Sequence, residues 1–210
     1  MKKSGRDKIR EPELTDLEPA SFSEAEERME GLLIQGETLS FSRGGPAINT
    51  CRFEECTFSG DIAHADVMDA VFDRCDLSNA DFSGSSFIRV KFIKCRMTGC
   101  DFSCGTCRDI QWIDSSALLA NWSGASLSNA SFVNTNLREA SFTDAKQTSL
   151  RLDHCDLSSA ELFHVSLAEV DLSTCVIDGI VTDPDSLRGC EVSFDQAASL
   201  IRIFGLKVKV

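Results

Sequence analysis

Three cysteines near the middle of the chain have a spacing that could support chemistry. Cys100, Cys104 and Cys107 follow the pattern Cys-x3-Cys-x2-Cys. Three thiolates this close in sequence can ligate an iron–sulfur cluster, provided that their side chains meet in space. Whether they meet depends on the element that carries them.

No other set of residues offers catalytic chemistry. His64, His154 and His164 have no metal-ligand spacing with one another. The sequence also has no glycine-rich phosphate loop, nucleophile elbow or paired-metal motif. We therefore expect a protein that is not an enzyme and that needs no cofactor or metal.

A repeat of five residues dominates the sequence from Val67 to Ile177. Stepping by five gives 23 positions, of which 20 hold Phe, Leu, Trp, Met, Ile or Val. Two residues before each of these central positions, 21 of 23 residues are Ala, Cys, Ser, Thr, Gly or Val, the exceptions being Ile110 and Leu150. A period of five fits neither an amphipathic helix nor a half-buried strand.

This small–polar–large pattern, as in Cys75-Asp76-Leu77 and Ala120-Asn121-Trp122, resembles the repeat of the pentapeptide-repeat family. The resemblance covers roughly residues 48–178, with a four-residue step from Phe58 to Ile62. It implies an all-β solenoid, a right-handed quadrilateral β-helix with four pentapeptides per coil, whose large and small residues point inward. We expect a flexible or capping segment at 1–30, the β-helix at 31–180, and a helix and short strand at 181–210.

Four pentapeptides per coil place every twentieth residue in one stack. The aromatic residues then sort onto two opposite sides, and both tryptophans fall at the same level, which independently supports a four-sided coil. The predicted core ladders are Phe72, Phe92, Trp112 and Phe132 on one side, and Phe82, Phe102, Trp122 and Phe142 on the other.

The repeat register argues against an iron–sulfur cluster. The three-cysteine spacing is also that of radical S-adenosylmethionine enzymes, but here Cys100 is a small inward residue, Cys107 a central one and Cys104 an outer corner residue. Their side chains would not converge. The seven cysteines at 51, 56, 75, 95, 100, 155 and 175 occupy small inward positions, where we expect buried hydrophobes. The polar start of the chain indicates no signal peptide, so we expect a cytoplasmic protein without disulfides.

Both ends of the solenoid need caps, because a stack of coils exposes unpaired backbone there. At the N-terminal end, a short helix at Ser23–Leu33 and a strand at Leu32–Phe41 are both open. At the C-terminal end, Ser193 and Gln196 predict a capping box that begins a helix, and a strand follows at 206–210. This segment resembles the C-terminal module of Qnr-type pentapeptide proteins, which implies a homodimer joined tip to tip. The expected interface residues are Phe194, Leu200, Ile203, Phe204, Leu206 and Val208.

The charge of the chain indicates the kind of partner. A net charge of −12 disfavours binding to nucleic acid or to an anionic membrane. Residues 111–180 carry nine acids and only three bases. The resemblance to Qnr-type proteins implies a DNA mimic that binds DNA gyrase and topoisomerase IV and protects them from fluoroquinolones. The candidate contacts are Glu139, Asp144, Asp153, Glu161, Glu169 and Asp178.

The five-residue frame runs unbroken from 67 to 177, which leaves no room for the projecting loops that matter for drug protection in many Qnr proteins. The alternative is a structural or interaction module with a different, unknown protein partner, because pentapeptide repeats serve several unrelated roles.

Overall fold

The computed structural model describes residues 8–22 and 28–206 and shows a parallel β-solenoid with one short C-terminal helix. The predicted all-β solenoid is therefore confirmed. The strands are β1 (Glu18–Pro19), β2 (Arg28–Glu30), β3 (Leu32–Gln35), β4 (Thr38–Phe41), β5 (Ala47–Glu54), β6 (Thr57–Gly60), β7 (Asp66–Asp73), β8 (Ser86–Ile93), β9 (Thr106–Ile113), β10 (Ser126–Val133), β11 (Lys146–Thr148) and β12 (Arg151–Asp153). The main sheet stacks β1, β3, β5, β7, β8, β9, β10 and β11 in that order, and β4 pairs with β6 in a second sheet.

Each coil turns at four corners, and successive corner residues are five positions apart in the sequence. In one coil the corner residues are Arg89, Lys94, Gly99 and Cys104, with φ angles of 54°, 53°, 66° and 56°. Each corner lies two residues after a central inward residue. We number the sides of the coil by these central residues: side 1 contains Phe87, side 2 Phe92, side 3 Met97 and side 4 Phe102.

Stacked residues are 20 apart in most of the rod and 19 apart near its N-terminal end. Phe72 lies beside Phe92 in the next coil, whereas Phe53 lies beside Phe72. The missing residue falls in the step from Phe58 to Ile62, where Gly60 has a φ of 88°. A Cβ at Gly60 would lie 2.1 Å from the carbonyl oxygen of Phe41, so the shortened corner requires glycine.

The interior contains two aromatic stacks, on sides 2 and 4. On side 2, the Trp112 ring lies 5.9 Å from Phe92 and 4.2 Å from Phe132. On side 4, the Trp122 ring lies 5.3 Å from Phe102 and 4.9 Å from Phe142. The two stacks meet edge to face at the centre of the rod, where the Trp112 and Trp122 planes cross at 87°.

The two large residues at small positions compensate for undersized or polar central residues. Ile110 follows Cys107 across one corner, and Leu150 follows Gln147 across the equivalent corner of a later coil. Ile110 and Leu150 are both buried, so each contributes volume that its neighbour lacks. The amide of Gln147 donates to the carbonyl of Ser166 at 2.7 Å, and its oxygen accepts from the backbone of Leu150.

The small positions of side 3 have a hydrogen-bonding role that accounts for four of the ten cysteines. Six thiols and hydroxyls there donate to a main-chain carbonyl of the preceding coil, as Cys95 does to Phe72 and Thr135 to Trp112, both at 3.3 Å. Sides 1, 2 and 4 use mainly alanine and valine at the same positions. The donors on side 3 are Cys56, Cys75, Cys95, Ser115, Thr135 and Cys155.

Strands, rather than a helix, form the N-terminal end over residues 28–41, while residues 23–27 lie outside the described chain. Residues 18–22 stack on the first coil. The backbone N–H of Glu18 donates to Gly31 at 2.8 Å, and the Phe22 ring lies 5.3 Å from Phe41. Residues 8–16, which we call the arm, run outside the rod across several coils.

The C-terminal end is covered by α1 (Phe194–Leu200) and a 3₁₀ turn (Ile201–Phe204). The capping box of Ser193 and Gln196 is confirmed. The Gln196 amide also donates to the carbonyls of Leu172 and Cys175, both at 2.8 Å, which fixes the helix to the last coils. Residues 207–210, including Val208 and most of the expected strand, lie outside the described residues. In the part of the chain that is described, no helix has the length and apolar character needed to cross a bilayer.

Candidate partner-binding surface

One side of the rod carries carboxylates and no Lys or Arg. From Asp61 to Asp183, the outward positions of side 4 and of its two corners contain no Lys or Arg. The residue just before each central position forms a column along this side, and each member bridges to the next coil. This column is Asp61, Asp81, Asp101, Asn121, Ser141 and Glu161, and together with Asp183 its acids define what we call the acidic side.

The polar residues of this column stabilise the repeat by a bond that needs no charge. The carboxylates of Asp81 and Asp101 accept hydrogen bonds from the backbone N–H two residues later, both at 2.8 Å. In the same column, the side-chain oxygen of Asn121 accepts the same bond at 2.9 Å. Because asparagine satisfies the turn as well as aspartate does, the fold does not account for the negative charge.

On side 3, the acids just before the central positions are paired with arginines. There Asp76 contacts Arg96 in the next coil, and Arg138 lies 3.5 Å from Asp156. The hydrogen bond from Arg96 lowers the pKa of Asp76 to about 2. The bases of this part of the rod all lie away from the acidic side: Arg74, Arg89, Lys91, Lys94, Arg96, Arg108, Arg138, Lys146 and Arg151.

The corners that border the acidic side add further acids. Glu139 lies at the corner with side 3 and Asp144 at the corner with side 1. Asp144 contacts the ring of His164, 2.8 Å away. At the C-terminal end, hydrogen bonds from the His164 backbone and from Ser186 lower the pKa of Asp183.

The structure distributes the six sequence-predicted contact residues around the rod. Glu161, Glu139 and Asp144 lie on the acidic side or at its corners. In contrast, Asp153 lies on side 2, Asp178 on side 3 and Glu169 at the corner between sides 1 and 2. Four acids of the surface are absent from the sequence-predicted contacts: Asp61, Asp81, Asp101 and Asp183. Taking every twentieth residue of the sequence identifies the first three.

The three cysteines with cluster spacing occupy different environments. Cys100 and Cys107 are fully buried inside the coil, whereas Cys104 is exposed at a corner. Burial raises the pKa of both inner thiols, that of Cys107 to about 12, which disfavours the thiolate form that binds metal. Within residues 8–22 and 28–206, no group of three or more His, Cys, Asp or Glu side chains could hold a metal ion.

The C-terminal tip is the main exposed apolar feature. Phe194 is 90% exposed, and Phe204 and Leu206 are each 55% exposed. Leu200, by contrast, is buried against the last coil, and Ile203 packs partly on the core. A cleft of about 210 Å³ opens at this tip. It is lined by Leu187, Cys190, Val192, Ala197, Leu200, Ile201 and Phe204.

Comparisons with known proteins agree with this architecture. Residues 65–142 match the family model described as a pentapeptide repeat region, and the resemblance drawn from the sequence is confirmed. The full-length structure of QnrB1, described as a plasmid-mediated fluoroquinolone resistance protein, aligns with a TM-score of 0.57 and 21% identity, covering 85% of this chain and 95% of that chain.

A second solved structure is more distant. HetL, a pentapeptide repeat protein involved in heterocyst differentiation regulation from the cyanobacterium Nostoc sp. strain PCC 7120, aligns with a TM-score of 0.37 and 16% identity over 78% of this chain and 86% of that chain. No curated protein sequence matches the chain. At 21% identity the QnrB1 structure shows the fold alone.

Neutralising one acid of the column should show whether its charge contributes to the stability of the fold. We expect Asp81→Asn to raise the free energy of unfolding at pH 7 and low salt by about 0.5 kcal/mol, because it keeps the turn bond and removes repulsion between stacked like charges. Asp76→Asn on side 3 should lower it by about 0.5 kcal/mol, because Arg96 loses its partner. The depressed pKa of Asp76 means that this contribution is present at neutral pH and is lost as the pH falls towards about 2.

Urea denaturation of both variants at low and high salt measures the difference. High salt should shrink both changes, since exposed charges are screened. Equal destabilisation by the two substitutions would mean that the negative charge of the acidic column stabilises the fold, and it would remove the argument that this charge serves binding.

Proposed function

We propose that this protein is a DNA mimic whose acidic side binds the DNA-binding groove of a type II topoisomerase, DNA gyrase or topoisomerase IV. The observation that carries the proposal is the segregation of charge. Carboxylates follow one side of the rod from Asp61 to Asp183, while the Lys and Arg residues of the repeat lie on the other three sides. A basic groove that binds duplex phosphates would attract such a surface.

The dimensions of the acidic side suit a short length of duplex. Six steps between stacked coils, from the level of Asp61 to that of Val181, span about 29 Å at ~4.8 Å per step. Duplex DNA rises about 3.4 Å per base pair, so this length corresponds to roughly eight base pairs. The bridges between stacked residues continue without an insertion over this length.

The likeness to QnrB1 favours a topoisomerase over other partners with basic grooves. QnrB1 is a fluoroquinolone resistance protein, and type II topoisomerases are the targets of that drug class. At 21% identity the likeness supports the choice of partner, and the charge segregation in this chain supports the mode of binding. Such a partner would place the protein in the cytoplasm. Because the frame has no projecting loop, we expect binding and inhibition to be stronger than drug protection.

The exposed apolar tip supports a second part of the proposal, a homodimer joined at the C-terminal ends. Phe194, Phe204 and Leu206 remain exposed after Leu200 has sealed the last coil, and two copies of the cleft at this tip could bury them against each other. Joining the tips would double the length of the rod. The dimer would then present two acidic sides to one partner, and two linked contacts bind more tightly than one.

A supercoiling assay with purified gyrase, with and without ciprofloxacin, tests the acidic side. We expect inhibition of supercoiling by the native protein. The triple variant Asp61→Asn, Asp81→Asn, Asp101→Asn should raise the half-inhibitory concentration at least about tenfold, since three charge-assisted contacts are lost while the turn bonds remain.

The matched control has the same change in charge on the other sides: Asp66→Asn, Asp153→Asn, Asp178→Asn. It should shift the half-inhibitory concentration by less than about threefold, because it changes only the long-range field. Equal loss in the two variants would exclude recognition by the acidic side. No effect of the native protein on either topoisomerase would favour the alternative, an interaction module with another partner.

Sedimentation equilibrium tests the dimer. The variant Phe194→Ser, Phe204→Ser should sediment as a monomer at concentrations where the native protein is dimeric, because it removes two large exposed apolar groups from the tip. Val176→Ser, which changes an exposed apolar residue on side 3, should leave the mass unchanged. A native protein that is monomeric throughout would remove the dimer from the proposal and leave the acidic side untouched.

A further inference from the structure

The arm docks along the corner between sides 1 and 2 in register with the coils. The backbone N–H of Glu13 donates to the Asp69 carboxylate at 3.0 Å, and that of Arg10 donates to the Asp109 carboxylate at 3.2 Å. Asp69 and Asp109 are two coils apart, about 9.6 Å. Three residues of extended chain span about 10 Å, so successive contacts of the arm match alternate coils.

A polar cavity lies where the described part of the arm begins. Its volume is about 400 Å³, and both the arm and the rod contribute to its walls. The arm supplies Lys8 and Arg10, and two adjacent coils supply Arg108, Asp109, Ser128 and Asn129. The cavity exists only while the arm is docked, because neither component encloses it alone.

The charges in this cavity do not balance. Three cationic side chains, Lys8, Arg10 and Arg108, face one carboxylate, that of Asp109. This carboxylate is already occupied, since it accepts from the Asn129 amide at 2.5 Å and from the Arg10 backbone, with the Arg10 guanidinium 3.6 Å away. A net charge of +2 remains in a chain whose total is −12.

The Asn129 amide lies between the arm and the rod. Arg151 donates to its side-chain oxygen at 3.0 Å, which uses the acceptor of that amide. The Asn129 nitrogen donates to the Asp109 carboxylate and also to the Lys8 carbonyl at 3.4 Å. Asn129 therefore offers no free acceptor to the three cationic side chains.

We propose that the cavity binds a phosphate dianion, either inorganic phosphate or a small phosphate monoester. The guanidinium of Arg108 offers the two-pronged geometry that matches phosphate oxygens, Lys8 adds a point charge, and the Ser128 hydroxyl adds a neutral donor. The net charge of +2 balances a dianion. The volume leaves room for the organic part of a small monoester.

Binding of phosphate would fasten the arm to the rod. One anion would contact Lys8 and Arg10 on the arm and Arg108 on the rod, so its affinity is gained only in the docked state. The site lies at the corner between sides 1 and 2, away from the acidic side. Phosphate binding at this site therefore does not depend on topoisomerase binding.

Isothermal titration of the full chain in phosphate-free buffer tests the site, with inorganic phosphate and glycerol 2-phosphate as separate probes. We expect saturable binding, weakened at least about tenfold by Arg108→Gln because a charge-assisted pair of bonds is lost. Lys94→Gln, which removes an equal charge at the exposed corner between sides 2 and 3, should change the affinity less than twofold. Binding of both probes would indicate free phosphate as a sufficient ligand, and binding of glycerol 2-phosphate alone would indicate a monoester.

Trypsin cleavage at Lys8 and Arg10 gives a second readout that a diffuse charge effect would not move. At a phosphate concentration that just saturates the native chain, cleavage of the native chain should slow, and cleavage of the Arg108→Gln variant should slow much less. The proposal is overturned if neither probe binds at millimolar concentration, if Arg108→Gln and Lys94→Gln behave alike, or if cleavage of the arm is indifferent to phosphate.

Discussion

The rod depends on a left-handed backbone conformation after every fifth residue. This conformation is unfavourable by roughly 1–2 kcal/mol for most residues, and non-glycine residues such as Arg89, Lys94 and Cys104 adopt it here. Each side of the coil buries one small and one large side chain, and every corner lies between two such sides. The burial of these side chains, together with backbone hydrogen bonds to the coils before and after, maintains the corner conformation. Two of every five residues are thereby committed to the core, and the other three face outward with few constraints on their identity.

That freedom separates the charge pattern from the fold. The column on side 4 accepts Asp, Asn and Ser in three successive coils, because the turn bond needs only a side-chain oxygen. On side 3 the acids are balanced by Arg96 and Arg138, whereas on side 4 no base follows. Like charges stacked in neighbouring coils repel each other. Here this repulsion is not offset by an ion pair with Lys or Arg, and a local feature that opposes stability in this way is typical of a binding site.

Much of the fold was predictable because its period is so regular. The central and small positions, the aromatic stacks and the capping box at Ser193 all follow from local residue types. Charge counted along segments of sequence mixes all four sides of the coil and hides the acidic side, whereas charge counted along every twentieth residue separates the sides. The arm could not be predicted, since its contacts are backbone N–H groups bound to Asp69 and Asp109, 56 and 99 residues away, and they leave no mark on the sequence of the arm itself.

The central claim is that one particular side of the rod meets the partner, and site-specific photocrosslinking to gyrase measures this directly. A photoreactive residue at Ser103 or Ser123, on the acidic side, should crosslink to the gyrase DNA-binding groove and lose the crosslink when duplex DNA is added as competitor. The same residue at Ser173 on side 2 or Thr98 on side 3 should not crosslink. Crosslinks of equal yield from all four positions, or crosslinks that duplex DNA does not displace, would contradict the account.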